Sequence, residues 1–344
     1  MNKALDASLK ELKSIDGTLH GPLDSEYEAL ITSALELEKW PIARLISVFE
    51  RQELNQFVLR HGIIKALEKQ TNNKRAFTLG ITGTPGAGKS TLIGELCQAL
   101  LKQAPEMSIA VLAIDPSSTE SGGALLGDRT RVNFPLNDKR LFFRSQASHQ
   151  DLGGMGRLSY QVHRLLSHIF DLVIIETVGI GQSEIEVQQL ADHTMLVMQP
   201  LAGDQVQFMK AGIMEVPNSF VINKCDEEDL AKRSINLLRS SLKLAKIATP
   251  GTDNETPIFL CSALHRKGIP ELADYVAKQS MSDRSATKDQ EICDYFIQKW
   301  LEQSFGEFGE VILGGTKPNL KGLSYEEAEI ALRKAVYLAL QKYF

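Results

Sequence analysis

The sequence predicts an α/β fold: a mostly parallel sheet with an N-terminal helical extension and a C-terminal helical arm. Three observations predict it. Seven short apolar runs lie between residues 76 and 263, and helical patterns separate most of them. The first run ends in a glycine-rich loop that leads straight into a helix. On either side of this block, apolar residues recur at three- and four-residue spacing without such runs. Near-continuous apolar strands alternating with helices indicate strands covered on both faces.

The elements follow in order. SEYEALITSALELEKW and PIARLISVFERQELNQFVLRHGIIKALEKQ read as helices, with Pro41 fitting a first turn and Thr71-Asn72-Asn73 breaking the pattern. AFTLGIT is the first strand and STLIGELCQALLKQ the helix after it. SIAVLAID, LFFRS, DLVIIET, HTMLVMQP, SFVINK and PIFLCSA are the next six strands, and the block closes near Gln279. MSDRSATKDQ reads as a polar linker, EICDYFIQKWLEQSFGEF as a helix and Gly314-Gly315 as a turn. The last helix carries a stripe of Ala328, Leu332, Ala335, Val336, Ala339 and Tyr343. Such a stripe fits packing on the chain's own sheet domain or a contact between subunits. The resulting division is 1–73 helical extension, 74–280 sheet domain and 281–344 helical arm.

Composition narrows the function classes. At 344 residues the chain holds more than one small core, by a prior of roughly 150 residues per domain. A net charge of −5 argues against a nucleic-acid binder, which carries a basic face. No stretch approaches the roughly 18 apolar residues of a membrane span, and MNKALDASLKELKS lacks the apolar core of a signal peptide. The expected location is the cytoplasm, or an organelle matrix after removal of a transit peptide. Cys97, Cys225, Cys261 and Cys293 stand apart with no C-x-x-C pair, as reduced structural thiols do. The seven histidines form no metal-rich tract.

Gly83-Thr84-Pro85-Gly86-Ala87-Gly88-Lys89-Ser90 matches G-x-x-x-x-G-K-S/T between a strand and a helix, the context this P-loop pattern requires. Its glycines let backbone N–H groups approach phosphate, and the helix that starts at Ser90 and Thr91 adds its positive end. Lys89 is placed to reach β and γ phosphates, and Ser90 to put its hydroxyl on Mg²⁺. DLVIIETVG then ends a strand on Glu176, with Gly179 three residues on. Such an acid can hold Mg²⁺ through water or orient the attacking water, and the Gly179 N–H can sense the γ-phosphate.

Asn223-Lys224-Cys225-Asp226 follows the strand SFVI and fits N-K-x-D. The Asp226 carboxylate can accept from guanine N1–H and from its exocyclic amine, whereas adenine would leave it unpaired. Pairing of this kind discriminates by about 10⁴. Asn223 is expected to brace the P-loop and the Lys224 stem to pack on the base. Ser262, Ala263 and Leu264 end a later strand, and the Ala263 N–H is expected to meet guanine O6. These features predict GTP rather than ATP.

Between these parts lies DPSSTESGGALLGDRTR, residues 115–131. Asp115 and Asp128 are candidate carboxylates for magnesium or water, while Arg129 and Arg131 read first as surface residues. No Gln follows Gly179 directly, and Gln182 stands three residues later. Intrinsic hydrolysis is therefore expected to be slow and to need a partner or a dimer.

Taken together, GTPGAGKST, AIDPSS, SGGALLGDRTR, DLGG, ETVGIGQSE, AGDQVQFMKAGIMEVPNSFVINKCD and the late SAL resemble one family across residues 83–264. It is the GTPase family of methylmalonyl-CoA mutase-associated chaperones (the MeaB/ArgK-like group), also labelled LAO/AO transport-system kinases. The resemblance implies a SIMIBI-type P-loop G domain, an N-terminal helical extension and a C-terminal arm that makes a homodimer. It implies GTP hydrolysis to GDP with Mg²⁺, coupled to loading and protecting an adenosylcobalamin-dependent mutase. It places Asp115, Asp128 and Glu176 near the metal with Ser90, and Asn223, Lys224 and Asp226 on guanine. Two departures stand out: Gln150 where the family usually has Gly, and Val216-Pro217-Asn218 where it commonly has Ile-Ala-Asp.

Two other readings stand against it. A metallochaperone-type GTPase would be expected to carry a Cys/His tract. An ATPase or kinase tied to arginine/ornithine transport is at odds with Asp226, and no H-R-D pattern is present.

Overall fold

A computed structural model describes residues 21–51, 55–115, 134–147 except 136, 157–177, 182–200, 217–248, 256–281, 286–314 and 318–341, with residues 10, 14, 19 and 53 singly. The chain divides into two compact units: residues 75–159 with 170–283, and residues 1–74 with 160–169 and 284–344.

The first unit is built on seven parallel strands. They are β1 (Phe77–Gly83), β2 (Ile109–Asp115), β3 (Leu141–Ala147), β4 (Leu172–Thr177), β5 (His193–Met198), β6 (Ser219–Ile222) and β7 (Ile258–Leu260). All seven apolar runs thus became strands, in the order β3-β2-β4-β1-β5-β6-β7. Every residue of β1, β4, β5 and β6 is buried, whereas the edge strand β7 is half-buried. Strands covered on both faces need apolar residues at every position, and this is why the runs show no alternation.

Helices clothe both faces. Leu92, Ile93, Leu96 and Leu100 of α4 (Lys89–Gln103) share one core with Leu79, Ile81, Val111, Ile174 and Val197. Ile269, Leu272, Ala273 and Val276 of α8 (Ile269–Ser280) complete that core. On the other face, α6 (Gln182–Leu190) sits so close to β1 that a Cβ on Gly80 would collide with Val187. Leu238 of α7 (Glu228–Ala248) packs with Leu196, Met198, Phe220 and Ile222. The chain leaves β1 for β2 on one side and returns to β5 on the other. The switch in direction opens a crevice at the carboxyl ends of the strands.

The second unit is helical: α1 (Ser25–Leu35), α2 (Lys39–Phe49), α3 (Asn55–Gln70), most of α5 (Arg157–Ile169), α9 (Ala286–Leu313) and α10 (Tyr325–Gln341). Asp24 caps α1 by accepting from the Glu26 N–H at 3.1 Å. The single helix expected over residues 25–40 is split, because Leu37 takes a φ of 65° between α1 and α2. The expected break after Gln70 is present, with Asn72 and Asn73 at φ 53° and 59°. Asn tolerates that region better than most residues. Gly306 interrupts α9 at φ 58°.

A buried ion pair holds α5 to α10. Glu326 is fully buried, and Arg164 grips both its oxygens at 2.7 and 3.1 Å. Burial alone would push the Glu326 carboxyl up. The adjacent Arg164 guanidinium, with Arg60 4.0 Å away, instead holds it below the usual carboxylate range. Tyr160 stacks on Phe296 of α9, with ring centroids 4.1 Å apart. Removing one partner of such a pair leaves a buried charge exposed to its full desolvation cost. Arg164→Met is therefore expected to lose about 3 kcal/mol of stability in denaturant unfolding, because only the more distant Arg60 then faces the Glu326 carboxylate. Equal stability of Arg164→Met and the unsubstituted chain would show that the pair contributes nothing.

The stripe on the last helix is covered within this unit. Ala328, Leu332, Val336 and Ala339 are buried and Ala335 is half-buried, on a helix that packs against α9 and α3. Tyr343 lies outside the described residues. Helices of the same unit therefore cover the four buried residues. Among the described residues, no helix is long and apolar enough to cross a membrane. The four thiols are unbridged, and burial pushes Cys261 up to about 12 and both Cys225 and Cys293 up to about 11.

Candidate functional site

The crevice is lined first by the loop after β1. Gly83 has φ 146°, and a Cβ there would run into the Val197 carbonyl. Gly88 caps α4 at φ 82°, where a Cβ would stand 2.7 Å from Asn223 Nδ2. Only glycine meets both conditions. The Ala87 N–H donates to the Thr84 carbonyl at 3.1 Å and closes the turn. Pro85 and Gly86 are exposed at its crest, and Thr91 is exposed in the first turn of α4. Lys89 is buried and donates to the carbonyls of Gly83 at 2.8 Å and Thr84 at 3.1 Å. The loop thus holds its ammonium in place at the N-terminus of α4, where an anion is favoured.

Glu176 stands beside this loop one residue before the end of β4, because Ile81 of β1 is in register with it. Its carboxylate is buried and accepts from Ser90 Oγ at 2.6 Å. Two motifs some 86 positions apart therefore meet as one hydroxyl and one carboxylate. That donor set fits magnesium, which takes oxygen ligands and is ordinarily held by one or two carboxylates together with phosphate and water. Among the described residues, no group of three or more His, Cys, Asp or Glu side chains is placed to hold a metal ion. The Ser90–Glu176 pair is a smaller set, of one hydroxyl and one carboxylate.

Asn223 ties the other side together. Its Nδ2 donates to the Ala87 carbonyl at 2.9 Å, and its Oδ1 accepts from the Ala263 N–H at 3.1 Å. The expected brace to the P-loop is thus present, but the Ala263 N–H expected on guanine O6 is engaged with Asn223. Lys224 follows at φ 62°, and its Nζ donates to Gln199 Oε1 at 3.1 Å. The Asp226 carboxylate accepts from Ser262 Oγ at 2.5 Å, and Ser262 Oγ accepts in turn from the His265 N–H at 3.2 Å. His265 Nε2 lies 3.6 Å from Asp226 Oδ1. Leu264 is 78% exposed, an apolar surface beside this carboxylate.

The predicted residues divide accordingly. Gly83, Pro85, Gly86, Ala87, Gly88, Lys89, Ser90, Thr91, Glu176, Asn223, Lys224, Asp226, Ser262, Ala263 and Leu264 line one edge of the sheet unit. Asp115 ends β2 on that edge, though its side chain lies outside the described residues. Asp128, Arg129, Arg131, Gln150 and Gly179 also lie outside them. Asn218, one of the departures from the family pattern, accepts from the Thr194 N–H at 2.7 Å and so fastens the start of β5. Two residues that sequence reasoning passed over are Gln199 and His265. The Gln-Pro pair at the end of β5 was the available signal for the first. Nothing in the spacing marked the second.

Comparison with known proteins agrees with this geometry. The family model for methylmalonyl-CoA mutase-associated GTPase MeaB matches residues 42–302. The chain belongs to the MeaB family. The family reading drawn from the motifs holds: this is a P-loop GTPase and binds guanine nucleotide. A Pyrococcus horikoshii protein is 32% identical over 324 residues, covering 90% of this chain and 98% of that one. GTPase ArgK of Escherichia coli is 30% identical over 273 residues, 78% of this chain and 81% of its own. The Mus musculus methylmalonic aciduria type A homolog, described as mitochondrial, is 34% identical over 257 residues, 72% of this chain and 61% of its own. A crystal structure of an LAO/AO transport system kinase shares the fold at TM-score 0.60 and 21% identity, covering 93% of this chain and 98% of that one.

Proposed function

We propose that this GTPase is a chaperone for assembly and protection of an adenosylcobalamin-dependent methylmalonyl-CoA mutase, working through a GTP·Mg²⁺ site at the carboxyl edge of its sheet. The observation that carries the reading is the family match across residues 42–302. The geometry of residues 83–90, 176 and 223–226 supports the nucleotide part.

In this reading Lys89 exchanges the Gly83 and Thr84 carbonyls for β and γ phosphate oxygens. The N–H groups from Gly86 to Thr91 cradle the phosphates. Ser90 and Glu176 part from each other to hold magnesium, with Asp115 and Asp128 near it. Held there, magnesium would supply positive charge to offset the charge that develops on the phosphates. Glu176 serves the metal or orients water, and the Gly179 N–H contacts the γ-phosphate. Asp226, set by Ser262, reads N1–H and the amine of guanine, while Lys224 and Leu264 flank the ring. The Ala263 N–H reaches O6 by sharing or leaving its bond to Asn223. Hydrolysis is slow until a partner completes the site.

The working form is taken as a cytoplasmic homodimer, as the family resemblance implies. Ala328, Leu332, Val336 and Ala339 are covered within their own unit, so the subunit contact draws on other residues. The partner is tested by size-exclusion chromatography with a methylmalonyl-CoA mutase from the same organism. Co-elution is expected, and its extent is expected to differ between a non-hydrolysable GTP analogue and GDP. Separate elution in every nucleotide state would remove the mutase and leave the GTPase.

A further inference from the structure

Gln199 stands at the carboxyl end of β5, one residue beyond Met198 and directly before Pro200. A residue before proline is confined to extended backbone, so the direction in which Gln199 leaves the strand is restricted. Gly83 at the mouth of the P-loop pairs with Val197 of the same strand, so the amide emerges beside the loop. Gln199 Oε1 accepts from Lys224 Nζ at 3.1 Å. Gln199 Nε2 lies 3.8 Å from where a Cβ on Gly86 would stand, and Lys224 Cε lies 3.8 Å from the same point on Gly88. The lysine stem therefore runs over the glycines of the P-loop and is pinned at its tip by one amide.

We propose that Gln199 is a positioning residue of the guanine-nucleotide site, acting through Lys224 by fixing its side chain across the P-loop. The proposal rests on the nucleotide reading above and adds a residue to it. A free lysine side chain has many rotamers, and ordering it costs conformational entropy on ligand binding. A carbonyl acceptor that holds the ammonium in advance removes part of that cost, the general basis of preorganisation. The bond is charge-assisted, which makes it stronger than one between neutral groups. Gln199 touches Lys224 rather than the base, so its influence has to disappear when Lys224 is gone.

The test uses the full chain, fluorescently labelled GDP and stopped-flow dissociation. Gln199→Met keeps the length of the side chain and removes the acceptor. It is expected to speed GDP release about fivefold, as losing one such ordered contact would. Lys224→Met is expected to speed it at least as much. The double variant is expected to match Lys224→Met alone, and thermal midpoints without nucleotide are expected to agree among all four proteins. Release from Gln199→Met at the unsubstituted rate would overturn the proposal, as would additive effects in the double variant. Failure of the unsubstituted chain to bind GDP would instead overturn the guanine reading itself. That result is distinct from normal binding that ignores Gln199.

Discussion

Lys89→Ala is expected to weaken GTP binding by at least about a thousandfold, and turnover with it. Hydrogen bonds from a charged donor contribute about 1.5–3 kcal/mol each, and this ammonium is placed to make more than one. Lys89 is only 8% exposed and rests on the carbonyls of Gly83 and Thr84. The protein has therefore already ordered and desolvated the ammonium, so little is lost in turning it to phosphate. The positive end of α4 favours phosphate with or without the lysine, so it limits the loss rather than adding to it. Titration with a fluorescent GTP analogue reads the affinity, and a thermal midpoint confirms that the variant is folded. Unchanged affinity would remove the loop from the nucleotide site.

Asp226→Asn is expected to weaken GTP about a hundredfold or more and to turn the site towards xanthosine triphosphate. Guanine presents two donors, N1–H and the amine, and a carboxylate accepts both. Ser262 Oγ, itself accepting from the His265 N–H, donates to Asp226 Oδ1. The introduced amide would then turn its oxygen to Ser262 and leave its NH₂ facing the amine of guanine, donor against donor. Xanthine carries a carbonyl at that position and accepts instead. A polar group that the bound base covers and leaves without its partner discriminates strongly. Competition of GTP, xanthosine triphosphate and ATP against labelled GDP measures the change. GTP affinity equal to that of the unsubstituted chain would end the assignment of Asp226 to the base.

Much of this was legible in the residues. The seven strands announced themselves because a parallel sheet covered on both faces needs apolar runs with no alternation. The P-loop was legible because its glycine spacing serves backbone geometry that only glycine supplies, at Gly83 and Gly88 above all. Ser90 and Glu176 were each found by motif, but their 2.6 Å contact depends on the register of Ile81 with Glu176. A single sequence does not carry that register. The break at Leu37 was hidden because leucine is an ordinary helix former and the apolar pattern runs through it. Residues 160–169 fall inside the expected 74–280 sheet domain, yet they cluster with the helical unit, where Arg164 meets Glu326. A buried Arg and Glu look in sequence like any surface pair. Gln199 and His265 stand singly beside motifs, where spacing rules give no signal.

GTP turnover by the purified chain tests the account most directly, measured alone and with an adenosylcobalamin-dependent methylmalonyl-CoA mutase from the same organism, with ATP as control. Slow GTP turnover that the mutase stimulates strongly, with no response from ATP, is the predicted result. Hydrolysis that ignores the mutase, or that favours ATP, would contradict it.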